Sequence, residues 1–164
     1  MTDPDFLQDL GVSALGTRLR RLFEMLNGPV SDAYRSELGF EQRWFALTLL
    51  LAERGELGVQ QAADALGTSH VAVLQVAKAM ETRGLLKRRK SSADKRVVLL
   101  ALTSTGCDMA KQVTSLSQRV DAAASALLAE AAPRFLAGLT GLEDALRAAP
   151  FDQRLDAARD PPED

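Results

Sequence analysis

The sequence predicts a mainly α-helical (α+β) fold that contains one short β-hairpin. Apolar residues recur at three- to four-residue steps along most of the chain, and two strand-like segments flank a group of turn-forming residues. With 164 residues, of which 46% are apolar, the chain is long enough for one domain with an oligomerisation arm. We expect a single domain over residues 1–150 and a disordered, acidic tail over residues 151–164.

The composition excludes several kinds of site. Cys107 and His70 are the one cysteine and the one histidine, which cannot build a four-ligand zinc site or a disulfide within one chain. Neither a nucleophile–base pattern nor a glycine-rich phosphate loop is present, so we expect no enzyme, cofactor or metal. No apolar run approaches the roughly 18 residues that span a bilayer, and the chain starts acidic. These features predict a cytoplasmic protein without a membrane partner.

Charge is distributed unevenly along the chain. The formal net charge is −2, yet residues 1–68 and 107–164 each hold six basic and ten acidic side chains, a charge of −4 per flank. Residues 69–96 hold eight basic and two acidic side chains, a charge of +6. Fields beyond about 10 Å are screened at moderate salt, so phosphate neutralisation depends on this local patch and not on the net charge. An acidic protein with such a patch can bind duplex DNA.

Apolar stripes predict the first helices. The stripe from Phe6 to Leu26 predicts a helix that ends at Asn27-Gly28-Pro29 and forms, over residues 5–27, part of a dimerisation region. A short helical piece is expected over residues 31–38. Residues 40–54 are apolar around most of the helix circumference, which predicts a central core helix that ends at Gly55.

Residues 59–83 have the pattern of a helix–turn–helix. A short helix over residues 59–66 is followed by Gly67 at the position of a left-handed cap, and Ser69 is placed as N-cap of a second helix. The opposite face is left for base and phosphate contacts, because the residues expected to face inward are Val73, Val76, Ala77 and Met80. The candidate contacts on that face are Ser69, His70, Val71, Ala72, Gln75 and Lys78. An alanine-rich helix pair also occurs in ordinary helical bundles, and His70 is equally compatible with a solvated surface.

A basic hairpin follows the helix pair. Residues 85–90 and 96–102 are strand-like in composition, which predicts a two-stranded β wing and a winged helix–turn–helix lobe over residues 40–103. We expect Arg88, Lys90 and Lys95 to contact phosphates and Arg96 to enter a minor groove, where negative potential is concentrated. Asp94 repels phosphates, so we expect it to hold Arg96 by an ion pair or to brace the turn. The alternative is a solvated surface hairpin.

Two motifs in this region resemble the MarR-type winged-helix transcriptional regulators. Asp94-Lys95-Arg96, followed by Leu102-Thr103 and Gly106, matches the pattern D-x-R…L-T-x-x-G. The run from Met80 to Leu85 is similar to the L-E-x-x-G-L end of the family's recognition helix. The resemblance covers Phe40 to Gly106, and the flanking helices fit by position only.

The resemblance implies roles for individual residues. Ser69 to Arg83 would be the recognition helix, Asp94 would orient Arg96 in the minor groove, and Thr103 would cap the helix that follows. Two departures stand out. Gly58 replaces a frequent Ser or Thr cap, and Leu74 replaces a frequent polar residue, which leaves open whether Leu74 contacts DNA or the core.

The C-terminal segment has the spacing of helices that pack against other helices. Pro133 breaks the first of these helices, and a second helix is expected up to Ala149. The first helix has a seam of residues at three- and four-residue steps: Met109, Val113, Leu116, Val120, Ala123 or Ala124, and Leu127. Residues 5–27 and 104–149 have more apolar surface than one small core covers, so we expect a homodimer, as the resemblance also implies. The alternative is a monomer with these helices folded back. A two-fold dimer predicts a pseudo-palindromic operator with half-sites about one helical turn apart.

The aromatic residues and the cysteine leave alternatives open. Phe40, Trp44 and Phe45 line a pocket for a small aromatic effector, as the resemblance implies, or pack in the core, as their helical spacing favours. Cys107 is a peroxide sensor or a small buried filler, because reactivity requires exposure and a lowered pKa. The leading hypothesis is a dimeric, sequence-specific DNA-binding regulator, a repressor released by an effector. The alternative is a winged-helix module whose basic wing docks an acidic protein.

Overall fold

The computed structural model describes residues 5–92 and 94–159, which form eight α-helices and one three-stranded sheet. The chain divides into two compact units, one up to Gln118 and the other from Arg119 onward. The boundary lies within one long helix, so we describe each unit by itself. The single-domain boundary expected at residue 150 stays a prediction.

The N-terminal helices differ from the single helix predicted over residues 6–26. Helix α1 covers only Phe6–Asp9, a 3₁₀ turn covers Gly11–Ala14, and α2 runs over Leu15–Leu38. Gly11 has a φ of 55°, a left-handed conformation that interrupts the helix and that glycine adopts without steric cost. The predicted stop at Asn27-Gly28-Pro29 is wrong, because Pro29 lies inside α2.

Helix α2 continues past its proline because its last turns are anchored in the core. A proline in a helix interior removes one hydrogen bond and costs about 3 kcal/mol. Tyr34 is buried, and Val30, Ala33 and Leu38 pack against the core. Burying a large apolar side chain contributes about 1.5–3 kcal/mol, so these contacts offset the cost. The helical piece expected over residues 31–38 is therefore the end of α2.

Helix α3, Phe45–Arg54, lies at the centre of the first unit. A 3₁₀ turn over Gln42–Trp44 precedes it, and it ends at Gly55, as predicted. The side chains of Leu47, Thr48, Leu50 and Leu51 are all buried. The central core helix is confirmed with its end, but its predicted start at residue 40 is wrong, because the helix begins at Phe45 after the 3₁₀ turn.

The sheet has three strands where the sequence predicts two. Strands β1 (Leu57–Gly58), β2 (Leu86–Lys90) and β3 (Val98–Leu102) are arranged in the order β1-β3-β2, with both pairs antiparallel. Leu57 and Arg88 pair with Leu100 from opposite sides. A two-residue strand has no readable periodicity, so β1 is missing from the sequence prediction. The strands of the hairpin begin one and two residues later than predicted.

Three further helices complete the first unit. They are α4 (Val59–Leu66), α5 (His70–Thr82) and the first part of α6 (Ser104–Ala131). Val113 and Leu116 of α6 are buried together with the core residues of α3, α4, α5 and the sheet. The seam predicted on α6 therefore packs against the winged-helix core over this part of the helix.

The second unit contains the end of α6 with α7 (Phe135–Ala148) and α8 (Phe151–Ala157). The break predicted at Pro133 is confirmed, since α6 ends at Ala131 and α7 begins at Phe135. Helix α8 corrects the disordered tail expected from residue 151. The guanidinium of Arg154 donates hydrogen bonds to the carbonyls of Ala145 and Ala149, at 2.8 and 2.9 Å, and so links α8 to the end of α7. Residues 160–164, also in the predicted tail, lie outside the described residues.

Within the described ranges no single helix has the length and apolar composition needed to cross a membrane. Helices α6 and α7 pass that test only together, as a bent pair, and only by length and composition.

Candidate nucleic-acid interface

Two turns fix the predicted recognition helix α5 against α4. Gly67 adopts a φ of 60°, and the N–H of Thr68 donates to the carbonyl of Ala63 at 3.0 Å. This Schellman geometry ends α4. The hydroxyl of Ser69 accepts a hydrogen bond from the N–H of Ala72 at 3.1 Å and caps α5. Both the left-handed Gly67 and the Ser69 cap confirm the sequence prediction.

Helix α5 buries one face and presents the other to solvent. Val73, Ala77 and Met80 are buried, and the predicted inward residue Val76 is half-buried against the core. Of the six candidate contact residues, Ala72 is half-buried and five are exposed: Ser69, His70, Val71, Gln75 and Lys78. Val71 is an exposed large apolar side chain at 61%, which suits contact with a thymine methyl group.

Leu74 resolves one of the alternatives that the sequence leaves open. Its side chain is half-buried and packs against the hydrophobic core of the first unit. A core role therefore accounts for an apolar residue at a position that is often polar.

The wing is attached to the end of α5 by a second Schellman turn. Gly84 has a φ of 69°, and its N–H donates to the carbonyl of Glu81 at 2.9 Å. The N–H of Leu85 donates to the carbonyl of Met80 at 3.0 Å. The hydroxyl of Thr103 donates to the carbonyl of Gly84 at 2.6 Å. The motif at the end of the recognition helix thus has a local physical explanation in helix termination.

Thr103 also starts helix α6. Its hydroxyl oxygen accepts a hydrogen bond from the N–H of Gly106 at 3.0 Å, three residues into the next turn. The capping role that the family resemblance implies is confirmed. The same side chain therefore joins the turn that follows α5, the end of the wing and the start of α6.

The tip of the wing is held by a compact turn. The N–H of Ser91 donates to the carbonyl of Val97 at 2.9 Å, and the N–H of Val97 donates to the carbonyl of Asp94 at 2.9 Å. The carboxylate of Asp94 accepts a hydrogen bond from the backbone N–H of Arg96 at 2.9 Å. The guanidinium of Arg96 lies 4.0 Å from the same oxygen and is 96% exposed. Of the two roles expected for Asp94, the structure therefore supports bracing the turn more strongly than an ion pair.

Two wing arginines are held by acidic side chains. The Nε of Arg88 donates to Glu81 of α5 at 2.7 Å. Arg89 donates two hydrogen bonds to Glu56 at 2.5 and 2.6 Å. Arg88 was predicted to contact phosphates, and neither acidic partner was foreseen. The pairs link residues 7 and 33 positions apart in the sequence, and no local pattern indicates such pairings.

The remaining predicted cations of the wing and helix are open to solvent. Lys78, Lys90 and Lys95 are exposed, and none has an acidic partner within residues 5–92 and 94–159. Together with Arg96 they form what we call the open cation set. Charges of this kind on braced elements can neutralise phosphates and release counterions.

The aromatic residues predicted to line an effector pocket are packed together. Phe40 and Trp44 are buried with their ring centroids 5.5 Å apart in an edge-on arrangement. The ring centroid of Tyr34, a residue for which the sequence predicts no role, lies 5.7 Å from that of Phe40 and 5.9 Å from that of Phe45. This geometry is typical of a core cluster. The effector role of these residues stays a prediction.

The thiol of Cys107 is exposed at the start of α6, which corrects the expectation of a buried filler. Helix α6 begins at Ser104, and Cys107 is the fourth residue of the helix, with its side chain on the outward face of the first turn. No group of three or more His, Cys, Asp or Glu side chains that could hold a metal ion occurs in the part of the chain that the structure describes.

The sequence of the winged-helix lobe matches one protein family, and the structure is similar to solved structures. Residues 38–97 match the MarR family. The winged-helix lobe is MarR-like. No curated protein matches the chain significantly. Solved structures of MarR-type transcriptional regulators share the mostly helical fold around a small antiparallel sheet.

Three solved MarR-like structures illustrate the similarity. The PcaV transcriptional regulator from Streptomyces coelicolor, in complex with its natural ligand, is 19% identical with a TM-score of 0.66, covering 91% of this chain and 99% of that one. The S. aureus MepR–DNA complex is 20% identical with a TM-score of 0.66, covering 77% and 97%. A MarR mutant from E. coli complexed with operator DNA is 21% identical with a TM-score of 0.60, covering 79% and 93%. At these identities the likeness establishes the fold.

Proposed function

We propose that this chain is a sequence-specific DNA-binding transcriptional regulator that reads duplex DNA with α5 and the wing. Two observations carry the proposal: the exposed guanidinium of Arg96, presented by a turn that Asp94 braces, and the exposed face of the capped helix α5. Both elements are held by backbone hydrogen bonds before any ligand arrives. Preorganisation of this kind lowers the entropic cost of binding.

The proposal divides the contact residues by chemistry. Gln75 can pair with adenine in two hydrogen bonds, and Val71 and Ala72 can contact a thymine methyl group. Ser69 at the N-cap of α5, with His70 and Lys78 on the helix itself, is suited to contact phosphates or base edges. On the wing, Lys90 and Lys95 neutralise phosphates and Arg96 enters the minor groove.

The proposal includes a homodimer, supported by apolar side chains left exposed in each unit. Helix α2 exposes Leu15, Leu19, Leu22, Phe23 and Leu26, and α7 exposes Leu136, Leu139, Leu142 and Leu146. Several exposed large apolar side chains on one helix are typical of a helix that packs against a partner. A second copy of the chain is the occupant that a two-fold arrangement of recognition helices requires. The regions that dimerise would be residues 5–27 and 104–149.

Repression released by a small aromatic effector completes the proposal. A dimer bound to a pseudo-palindromic operator blocks polymerase access, and an effector that changes the spacing of the two recognition helices releases it. The PcaV structure with its natural ligand supports this part by analogy of fold. Displacement of a bound duplex by a panel of small aromatic molecules tests it.

A binding selection from random duplexes tests DNA recognition. The full chain at low salt is expected to enrich an approximate palindrome with half-sites about one helical turn apart. Arg96→Ala should then weaken binding to the enriched duplex. Failure to enrich any sequence at low salt would sink the proposal.

The same reagents separate the alternative function, in which the basic wing docks an acidic protein. That alternative predicts that Arg96→Ala loses no affinity for any duplex, while the chain binds an acidic polypeptide such as polyglutamate.

Light scattering on the full chain and on Leu139→Glu tests the dimer, because a charge in an apolar interface should shift the mass toward that of one chain.

A further inference from the structure

Glu81 and Arg88 join the recognition helix to the middle of the wing. Glu81 lies one position before the last residue of α5, and Arg88 is the third residue of β2. The Nε of Arg88 donates to Oε2 of Glu81 at 2.7 Å, and its Nη2 contacts the same oxygen. The two side chains are only 34% and 37% exposed. The contact is therefore partly shielded from solvent, and the guanidinium edge that faces α5 is occupied.

The basic patch is thereby divided into two held arginines, Arg88 and Arg89, and the open cation set, which includes Arg96. Arg89, the next residue of β2, is held on Glu56 by two hydrogen bonds. Successive residues of a strand point to opposite faces, so the two pairs brace β2 from both sides. Arginine suits this role because its planar fork matches a carboxylate geometrically, whereas lysine provides a point charge.

We propose that Glu81 positions the wing against the recognition helix by holding Arg88, so that Arg88 acts as a strut and not as a phosphate ligand. The inference rests on the proposed DNA-binding function, because the position of the wing matters only if helix and wing bind one duplex. A carboxylate in contact with the guanidinium repels an approaching phosphate. A phosphate would have to displace Glu81 before Arg88 could bind it.

The strut complements the bonds at the base of the wing. Thr103 and the turn at Gly84 fix where the wing begins and ends, but they lie at one end of the hairpin. Arg88 lies farther along β2, opposite Leu100 of the central strand. Contact with α5 at this point limits the swing of the hairpin, and hence the distance between Arg96 and the exposed face of α5.

The test compares charge removal with charge exchange. Four variants of the full chain are needed: Arg88→Ala, Glu81→Gln, the exchange Glu81→Arg with Arg88→Glu, and Glu53→Gln. Glu53 is exposed on α3 and has no ion-pair partner in the described part of the chain, so Glu53→Gln controls for loss of one negative charge. Affinity for the enriched duplex is measured over a series of salt concentrations.

The strut predicts a loss of affinity without a change of salt dependence. Arg88→Ala and Glu81→Gln should weaken binding to the enriched duplex by about five- to tenfold, the size of coupling between contacting residues. The log–log salt slope should stay at the wild-type value. The exchange should restore affinity to within about threefold of wild type, and Glu53→Gln should leave affinity unchanged.

Three results would overturn the inference. A salt slope that falls by about 0.9 in Arg88→Ala would identify a phosphate ligand. An unchanged affinity in Arg88→Ala would show that the contact does not position the wing, and a charge exchange as weak as Arg88→Ala would show that the pair itself is not the cause.

Hydrogen–deuterium exchange of β2 distinguishes failure of the strut from failure of DNA binding. Without any DNA, the amides of Leu86–Lys90 should exchange faster in Arg88→Ala and return toward wild type in the charge exchange. If the wild-type chain binds no duplex, the proposed function fails, and this readout still decides whether the strut exists.

Discussion

Gly106 at the start of α6 lies directly against the backbone carbonyl of Leu85 at the start of the wing. A Cβ atom placed on Gly106 would lie 1.9 Å from that carbonyl oxygen and 2.9 Å from its carbon. The carbonyl also accepts the N–H of Thr103 at 3.0 Å. Close approach of two backbones therefore requires glycine here, and it explains the final position of the L-T-x-x-G motif.

Replacing Gly106 by alanine should destabilise the winged-helix unit. The added methyl group meets backbone, which cannot move aside as a side chain can, so we expect a loss of about 1–3 kcal/mol in the free energy of unfolding. Chemical denaturation of the full chain measures it. Gly138→Ala on α7 is the matched control, since a Cβ atom there would meet nothing within 4 Å and helix propensity predicts no loss. Equal effects at both positions would contradict the packing explanation.

Thr103 should be sensitive to loss of its hydroxyl and not to loss of its methyl group. The hydroxyl donates to Gly84 and accepts from Gly106, so Thr103→Val leaves two backbone groups unsatisfied. We expect a loss of about 1–3 kcal/mol in unfolding free energy. Thr103→Ser keeps both hydrogen bonds and is the control. A serine variant as unstable as the valine variant would show that the methyl group, and not the cap, is important.

Much of the winged helix could be predicted from the sequence because its signals are local. The Ser69 cap, the left-handed Gly67 and the stop at Gly55 each depend on a few neighbouring residues. The features that were missed depend on distant partners. Strand β1 exists through its pairing with β3, and α2 passes Pro29 because Tyr34 is anchored in the core.

The candidate site likewise has features that follow from neighbouring residues and features that depend on distant ones. The exposed face of α5 and the braced turn of Asp94 follow from periodicity and turn chemistry. The pairing of Arg88 with Glu81, and of Arg89 with Glu56, follows from the tertiary position of the strand. A basic run in a sequence therefore predicts the patch, and only the fold separates held from open cations.

Two substitutions of Asp94 distinguish its role in bracing the turn from an ion pair with Arg96. Asparagine retains an oxygen that can accept the N–H of Arg96, whereas alanine does not. Because the guanidinium contact is long and solvent-exposed, we expect Asp94→Asn to bind the enriched duplex about as well as wild type. Asp94→Ala should bind more weakly. Equal losses in the two variants would show that the carboxylate charge orients Arg96.

Asp5 gives the N-terminal segment a pH-dependent attachment. The guanidinium of Arg21 donates to the Asp5 carboxylate at 2.5 Å, and this hydrogen bond lowers the pKa of Asp5 below its ordinary value of 3.8. A lowered pKa in the folded state means that the stabilisation is fully present above pH 3.8 and is lost as the pH falls through the folded-state pKa.

The wild type should have a higher free energy of unfolding than Asp5→Asn. This difference should be constant near neutral pH and should shrink below pH 3.8. Thermal unfolding of both chains across this pH range measures the difference. Asp9→Asn is the control, because Asp9 is exposed and has no ion pair within residues 5–92 and 94–159. A difference that grows on acidification would contradict the assigned direction of the pKa shift.

The salt dependence of duplex binding tests most directly whether α5 and the wing form the DNA interface. The full chain is compared with a variant in which Lys78, Lys90 and Lys95 are replaced by alanine, on the enriched duplex. The log–log slope should fall by about 0.9 for each lysine that neutralises a phosphate, whereas Lys111→Ala, outside the open cation set, should leave it unchanged. An unchanged slope in the triple variant would contradict the account.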